Sequence, residues 1–154
     1  MRVGLIGTGA IANLHARAYK NIGYAVRVCT DVNADAGRRF AAQHGAEFLT
    51  SDEDVCRHPD VDYVDVCTFP DFRLQPLKAC AAAGKHIQVQ KPMATNVRTA
   101  REMIAIARSA GIVLGVVSQH RFDECSRFLA SAIPTGRLGR ILQCDAYVKW
   151  YRSD

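Results

Sequence analysis

Short apolar runs alternate along the chain with segments whose apolar residues recur every three or four positions. "RVGLI" (Arg2–Ile6), closed by Gly7, predicts a first strand. Ile11, Leu14, Ala18 and Ile22 then follow at helical spacing, and Gly23 stops that helix. "AVRVCTD" (Ala25–Asp31) predicts a second strand, Ala34–His44 a second helix ended by Gly45, and "AEFLT" a short third strand. "DYVDVCT" (Asp62–Thr68) reads as the fourth strand. Leu74, Leu77, Cys80 and Ala81 mark the helix after it, which ends at Gly84. "KHIQVQ" is the fifth strand; Val97, Ala100, Ile104 and Ala107 face one side of another helix, ended by Gly111; "IVLGVVS" (Ile112–Ser118) is the sixth strand. Such alternation calls for right-handed βαβ crossovers and a parallel sheet covered on both faces. The fold class expected is therefore α/β, a Rossmann-type doubly wound sheet.

The pattern changes after Ser118. Phe122, Cys125, Phe128, Leu129 and Ile133 predict one more helix, closed by the turn at Pro134–Gly136, and "RILQCDAYVKWY" predicts a new strand. The expected division is a dinucleotide-binding domain over residues 1–120, with residues 121–154 supplying a linking helix and the first strand of a second α/β domain that is truncated.

Composition changes this picture little. The 154 residues suffice for one well-packed domain, and the apolar and charged fractions are those of a soluble globular protein. No apolar run approaches a membrane span, and Met1 leads straight into "RVGLIGTG" without a signal region, so the expected compartment is cytoplasmic. The net charge of +5 is scattered over pairs such as Arg38 and Arg39, or Arg137 and Arg140, which argues against a nucleic-acid face. Six cysteines show neither C-x-x-C pairing nor a histidine at metal spacing; they read as free thiols, and no metal is expected.

The chemistry lies at the strand ends. "LIGTGAIA" places Gly7-x-Gly9-x-x-Ala12 between the first strand and the first helix. Gly7 permits the tight turn, Gly9 lets the backbone approach a pyrophosphate, and Ala12 lets the helix pack closely on the strand. With Thr8 between the glycines, the amides near Ala10 and Ile11 then face the phosphates at the positive end of the helix. Asp31 follows roughly 20 residues later, where an acid accepts hydrogen bonds from the adenosine ribose and repels a 2′-phosphate. The cofactor expected is therefore NAD rather than NADP. Thr68 and Phe69, then Gln90 and Lys91, then Gln119 follow the fourth, fifth and sixth strands and should face the same crevice. Lys91 is placed to meet nicotinamide and a substrate hydroxyl, where partial desolvation would help it share a proton.

Together, "GLIGTGAIANLHARAY", "VCTFPDFRLQPLKACAAAGKHIQVQKPMA", "GVVSQHRF" and "GRLGRILQCDAYVKWYR" resemble the glucose–fructose oxidoreductase / inositol dehydrogenase (Gfo/Idh/MocA) family. The resemblance implies that Thr68 and Phe69 flank the adenine and pyrophosphate side of the cofactor. It puts Gln90 where the family usually has the glutamate of Glu-Lys-Pro, in contact with the nicotinamide ribose, and makes Lys91 the catalytic lysine. Trp150 and Arg152 match a W-x-R element near the cofactor. Gln90 departs from the usual glutamate, and Arg73 stands where a histidine is common.

The family's Asp-x-x-x-His pair, which supplies the general base, would lie beyond Asp154. What the resemblance implies is hydride transfer between nicotinamide and a sugar, cyclitol or polyol, by a protein that in full length has room for homo-oligomer contacts. This chain alone would be inactive; the alternative is a non-catalytic NAD-binding or interaction module.

Overall fold

Five-residue β1 (Arg2–Ile6) lies at the centre of the sheet, flanked on one side by β2 (Ala25–Thr30) and on the other by β4 (Tyr63–Val66). In the computed structural model, which describes residues 1–147, 149 and 151, six parallel strands are ordered β3-β2-β1-β4-β5-β6. The remaining strands are β3 (Glu47–Phe48), β5 (His86–Val89) and β6 (Leu114–Val116). The helices are α1 (Ala10–Asn21), α2 (Ala34–His44), α3 (Asp52–Arg57), α4 (Leu74–Ala82), α5 (Val97–Ser109) and α6 (Glu124–Ala132). The expected α/β class and its alternation hold.

Strand residues point alternately to the two faces, and each face has its own core. Val3 and Leu5 of β1 pack with Ala12, Ala16 and Tyr19 of α1 and with Phe40 and Ala41 of α2. Ile6, Val64, Val66, Ile87 and Val89 pack with Val55, Leu77, Cys80 and Met103 from α3, α4 and α5 on the other face. Side-chain caps begin three of these helices: Asn33 accepts from the Ala36 N–H, Ser51 from Asp54, and Asn96 from Thr99.

Four expectations about local structure fail. Helix α1 does not bury its most apolar stripe: Leu14 is 56% and Ile22 63% exposed, and the buried face is Ala12, Ala16 and Tyr19. Small residues win because the helix must lie close to β1. In α5 the buried residues are Met103 and Ala107, with Val97 exposed. Helix α3 is missing from the predicted set because its six residues carry only one buried apolar pair, Val55 and Cys56. Residues 140–147 of the predicted last strand are not a strand, since they join no ladder among the described residues.

The chain divides into two compact units, Met1–Ser118 and Gln119–Asp154. Among its described residues the second holds a 3₁₀ turn, Gln119–Phe122, then α6 and irregular chain. Among the described residues no helix is long and apolar enough to cross a membrane.

Candidate functional site

Strand order reverses between β1 and β4, where successive connections run to opposite sides of the sheet. A cavity of about 770 Å³ opens there, beyond the carboxyl ends of the strands. Gly7, Gly9, Ala10 and Ile11 line it from the first turn, Asp31 from the end of β2, Thr68 and Phe69 from the end of β4, and Gln90 and Lys91 from the end of β5.

The first turn suits an anion. Gly7 has φ +86°, and a Cβ there would lie 3.0 Å from Thr68 Cγ2, so only glycine fits. Gly9 is the N-cap of α1, with no side-chain cap bond and no acid in the first turn, and a Cβ on it would meet nothing within 4 Å. The leading amides of α1 therefore have an open cradle before them, as a pyrophosphate requires.

Asp31 is held by the same turn. Thr8 donates to Oδ2 from its backbone N–H at 2.6 Å and from its hydroxyl at 2.8 Å, and the Asn33 N–H donates to Oδ1 at 2.8 Å. Burial pushes the Asp31 carboxyl up, but these three donors outweigh it and hold the group below its usual value. Thr8 thus shapes the site from behind, as a buried support for Asp31. Asp52, unremarked in the sequence, also lines the cavity; burial and then Glu53 hold its carboxyl above the usual value.

Beneath Thr68 and Gln90 lies a cation. Arg73 is 2% exposed and donates from Nε and Nη2 to the Thr68 carbonyl at 3.0 and 2.6 Å, and from Nη1 to the carbonyls of Gln90 and Pro92. The residue that breaks the family pattern is therefore a clamp across the ends of β4 and β5. Lys91 itself is exposed at the cavity wall rather than partly desolvated, and its peptide bond to Pro92 is cis.

A second polar group was not anticipated. Asp65 is fully buried, and its Oδ2 accepts from Tyr19 Oη at 2.6 Å and pairs with His15 Nδ1 at 2.7 Å. His15 Nε2 lies 3.2 Å from Gln90 Nε2, and Gln90 Oε1 accepts the Lys91 N–H at 2.7 Å. Cys67 Sγ approaches His15 Nδ1 at 3.6 Å, so His15, Asp65 and Cys67 bring potential ligand atoms within 4.8 Å of one another. No metal spacing in the sequence announced this, because the three come from α1, β4 and the turn after it. The signal was an aspartate in the middle of an apolar strand.

Gln119 lies in the second unit, exposed on its 3₁₀ turn. Trp150 and Arg152 fall outside the described residues.

Residues 1–118 match the family model described as the oxidoreductase family with an NAD-binding Rossmann fold, GFO_IDH_MocA. The chain belongs to the Gfo/Idh/MocA oxidoreductase family. It is 36% identical over 141 residues to 1,5-anhydro-D-fructose reductase of Ensifer adhaerens, covering 90% of this chain and 42% of the relative. It is 32% identical over 142 residues to myo-inositol 2-dehydrogenase of Thermotoga maritima, covering 91% and 42%. Among solved structures, the WlbA dehydrogenase of Bordetella pertussis in complex with NADH and UDP-GlcNAcA superposes with a TM-score of 0.86 at 30% identity, over 91% of this chain and 42% of that one. The chain thus spans about two-fifths of the length of these family members.

Proposed function

We propose that this chain is the nucleotide-binding part of an NAD-dependent oxidoreductase whose full-length form passes a hydride between nicotinamide and a sugar, cyclitol or related polyol. The observation that carries the reading is that the uncapped start of α1, Asp31 and Lys91 all border one cavity at the switch point of the sheet. The Ensifer and Thermotoga relatives, a reductase of an anhydro sugar and an inositol dehydrogenase, support the substrate class.

On this reading Gly7, Gly9, Ala10 and Ile11 hold the pyrophosphate. Asp31 takes the adenosine ribose hydroxyls, and Thr68 and Phe69 border the adenine and pyrophosphate side. Gln90 stands beside the nicotinamide ribose. The bound nicotinamide supplies or accepts the hydride; the protein contributes placement and electrostatics. Lys91 hydrogen-bonds the reacting oxygen, and a general base from outside this chain takes its proton. The chain by itself therefore binds cofactor without oxidising polyols.

A carboxylate at Asp31 repels a 2′-phosphate, so NADH should bind at least about tenfold more tightly than NADPH, a gap of about 1.4 kcal/mol. Fluorescence titration of the chain with each dinucleotide tests this, and Asp31→Ser should narrow the gap. Tighter binding of NADPH would overturn the Asp31 assignment, and no binding of either would overturn the site.

A further inference from the structure

The hydrogen bonds that run down from Lys91 have one consistent direction. A backbone N–H can only donate, so the Lys91 N–H at 2.7 Å requires the oxygen of the Gln90 amide to face it. The amide nitrogen then faces His15 Nε2 at 3.2 Å and donates to it, which makes Nε2 an acceptor and leaves the imidazole proton on Nδ1. Nδ1 points at Asp65 Oδ2, 2.7 Å away, and donates there. The Tyr19 phenol donates to the same oxygen and accepts from Gln88 Nε2 at 3.0 Å. Burial and Asp65 hold both the Tyr19 phenol and the Cys67 thiol well above their usual values, so each keeps its proton beside that carboxylate. The groups facing the imidazole are thus Asp65, Cys67, Tyr19 and Gln90, and every link agrees with a neutral His15.

We propose that His15 and Asp65 are positioning residues. They fix the orientation of the Gln90 amide and, through it, the backbone of Lys91 at the nicotinamide end of the cavity. This deepens the cofactor reading and rests on it for its role, though not for its geometry. The glutamine at position 90 is what makes a neutral imidazole sufficient. A carboxylate there could not donate to Nε2, and His15 would need a second proton, placing an imidazolium between two carboxylates. The same logic disfavours a metal at His15, Asp65 and Cys67, since an ion would displace the Nδ1 proton on which the chain of donors depends.

Three measurements on the chain test this. Long-range ¹H–¹⁵N spectra, with the His15 ring assigned by its loss in His15→Gln, should show the Nδ1–H tautomer in the unmodified protein; the Nε2–H form would overturn the proposal. In the same spectra at neutral pH, Gln90→Glu should show protons on both ring nitrogens, and a ring still protonated on Nδ1 alone would overturn it.

The third separates the halves of the cofactor. Asp65→Val removes the acceptor for Nδ1 and frees the ring to change tautomer. It should leave ADP-ribose affinity within about twofold while NADH affinity falls about tenfold or more, the 1.4 kcal/mol expected for one oriented hydrogen bond. Equal losses, or none, would sink the positioning role alone. Failure of the unmodified chain to bind either ligand would sink the cofactor reading, and a stoichiometric zinc ion lost on Cys67→Ser would replace the dyad with a metal site.

Discussion

Replacing Arg73 by methionine removes the clamp across β4 and β5 while keeping most of the side chain's volume. The guanidinium directs four hydrogen bonds at three carbonyls, those of Thr68, Gln90 and Pro92. Among the described residues it makes no ion pair, so the cation is compensated by backbone dipoles alone. Burial lowers the affinity of the group for its proton, but guanidinium remains charged in proteins. Two terms compete in the variant. Leaving a buried carbonyl unpaired costs about 1–3 kcal/mol, and Gln90, 8% exposed, pays the most. Thr68 and Pro92, at the same cavity, are less buried than Gln90, so water can replace their lost donors. Relief of the desolvated charge works the other way.

The expected net loss is about 2–3 kcal/mol, a large part of the stability of a domain this size. With a urea dependence of about 1–1.5 kcal/mol per molar, the midpoint should fall by about 2 M. Arg73→Lys, which keeps the charge but cannot span three carbonyls with a fork, should fall between the two. Urea titration followed by circular dichroism reads the midpoints. An Arg73→Met midpoint within about 0.3 M of the parent would refute the clamp and mean that the buried charge costs as much as its bonds return.

Three further outcomes follow from other contacts. Thr8→Val removes one of the three donors to Asp31 and keeps the others, so the Asp31 midpoint should rise from below the usual carboxylate value in a ¹³C titration. Because the folded-state value is depressed, the stability it contributes is full above the unfolded carboxylate value of about 4 and is lost as pH falls through the folded one; in Thr8→Val that contribution is smaller and its loss is complete at a higher pH. Gly37→Ala should destabilise the chain by about 1–3 kcal/mol in thermal or urea melts, despite alanine's better helix propensity, because the new methyl would run into the Phe48 ring. Of the six cysteines, Cys125 and Cys144 are exposed, so two thiols should react rapidly with a chromogenic disulfide, half-buried Cys67 at the cavity more slowly, and buried Cys29, Cys56 and Cys80 only on unfolding. Rapid reaction of Cys56 or Cys80, both fully buried, would contradict the packing of α3 on α4.

The alternation of strands and helices was legible because period and punctuation agree: each helix predicted from spacing in the first 118 residues is stopped near the glycine that its pattern proposed. The buried faces were less legible. Two arguments about α1 conflict in the sequence, one from the apolar stripe Ile11, Leu14, Ala18 and Ile22, the other from the need for a small residue at Ala12 beside the glycine turn. The second prevails, since the tight turn at Gly7 brings the start of the helix close to the strand, and Ala12, Ala16 and Tyr19 follow from that choice. The last predicted strand failed for a different reason. Alternating apolar residues are a strand only where a neighbour supplies the ladder, and residues 140–147 have none among the described residues.

The cavity positions of Gly7, Gly9, Asp31 and Lys91 were legible from spacing because each sits at one strand end. Arg73 and the His15–Asp65 pair act across elements, and a parallel strand is expected to be apolar on both faces, so a polar residue inside it is easily taken as tolerated. The register exposes what that expectation hides. Asp65 of β4 lies beside Gln88 of β5, Tyr63 lies beside His86, and Cys67 and Gln90 continue the two strands. "YVDVC" and "HIQVQ" therefore carry matching polar stripes at period two, facing the helix that bears His15 and Tyr19 four residues apart. An apolar contact here would bury more cheaply, but it would let α1 slide against the sheet. The start of α1 borders the cavity, so such a slide would carry it away from Asp31 and Lys91. Directional bonds from His15 and Tyr19 to one carboxylate oxygen hold the helix in register, which places the reason for a buried aspartate in the cavity above it.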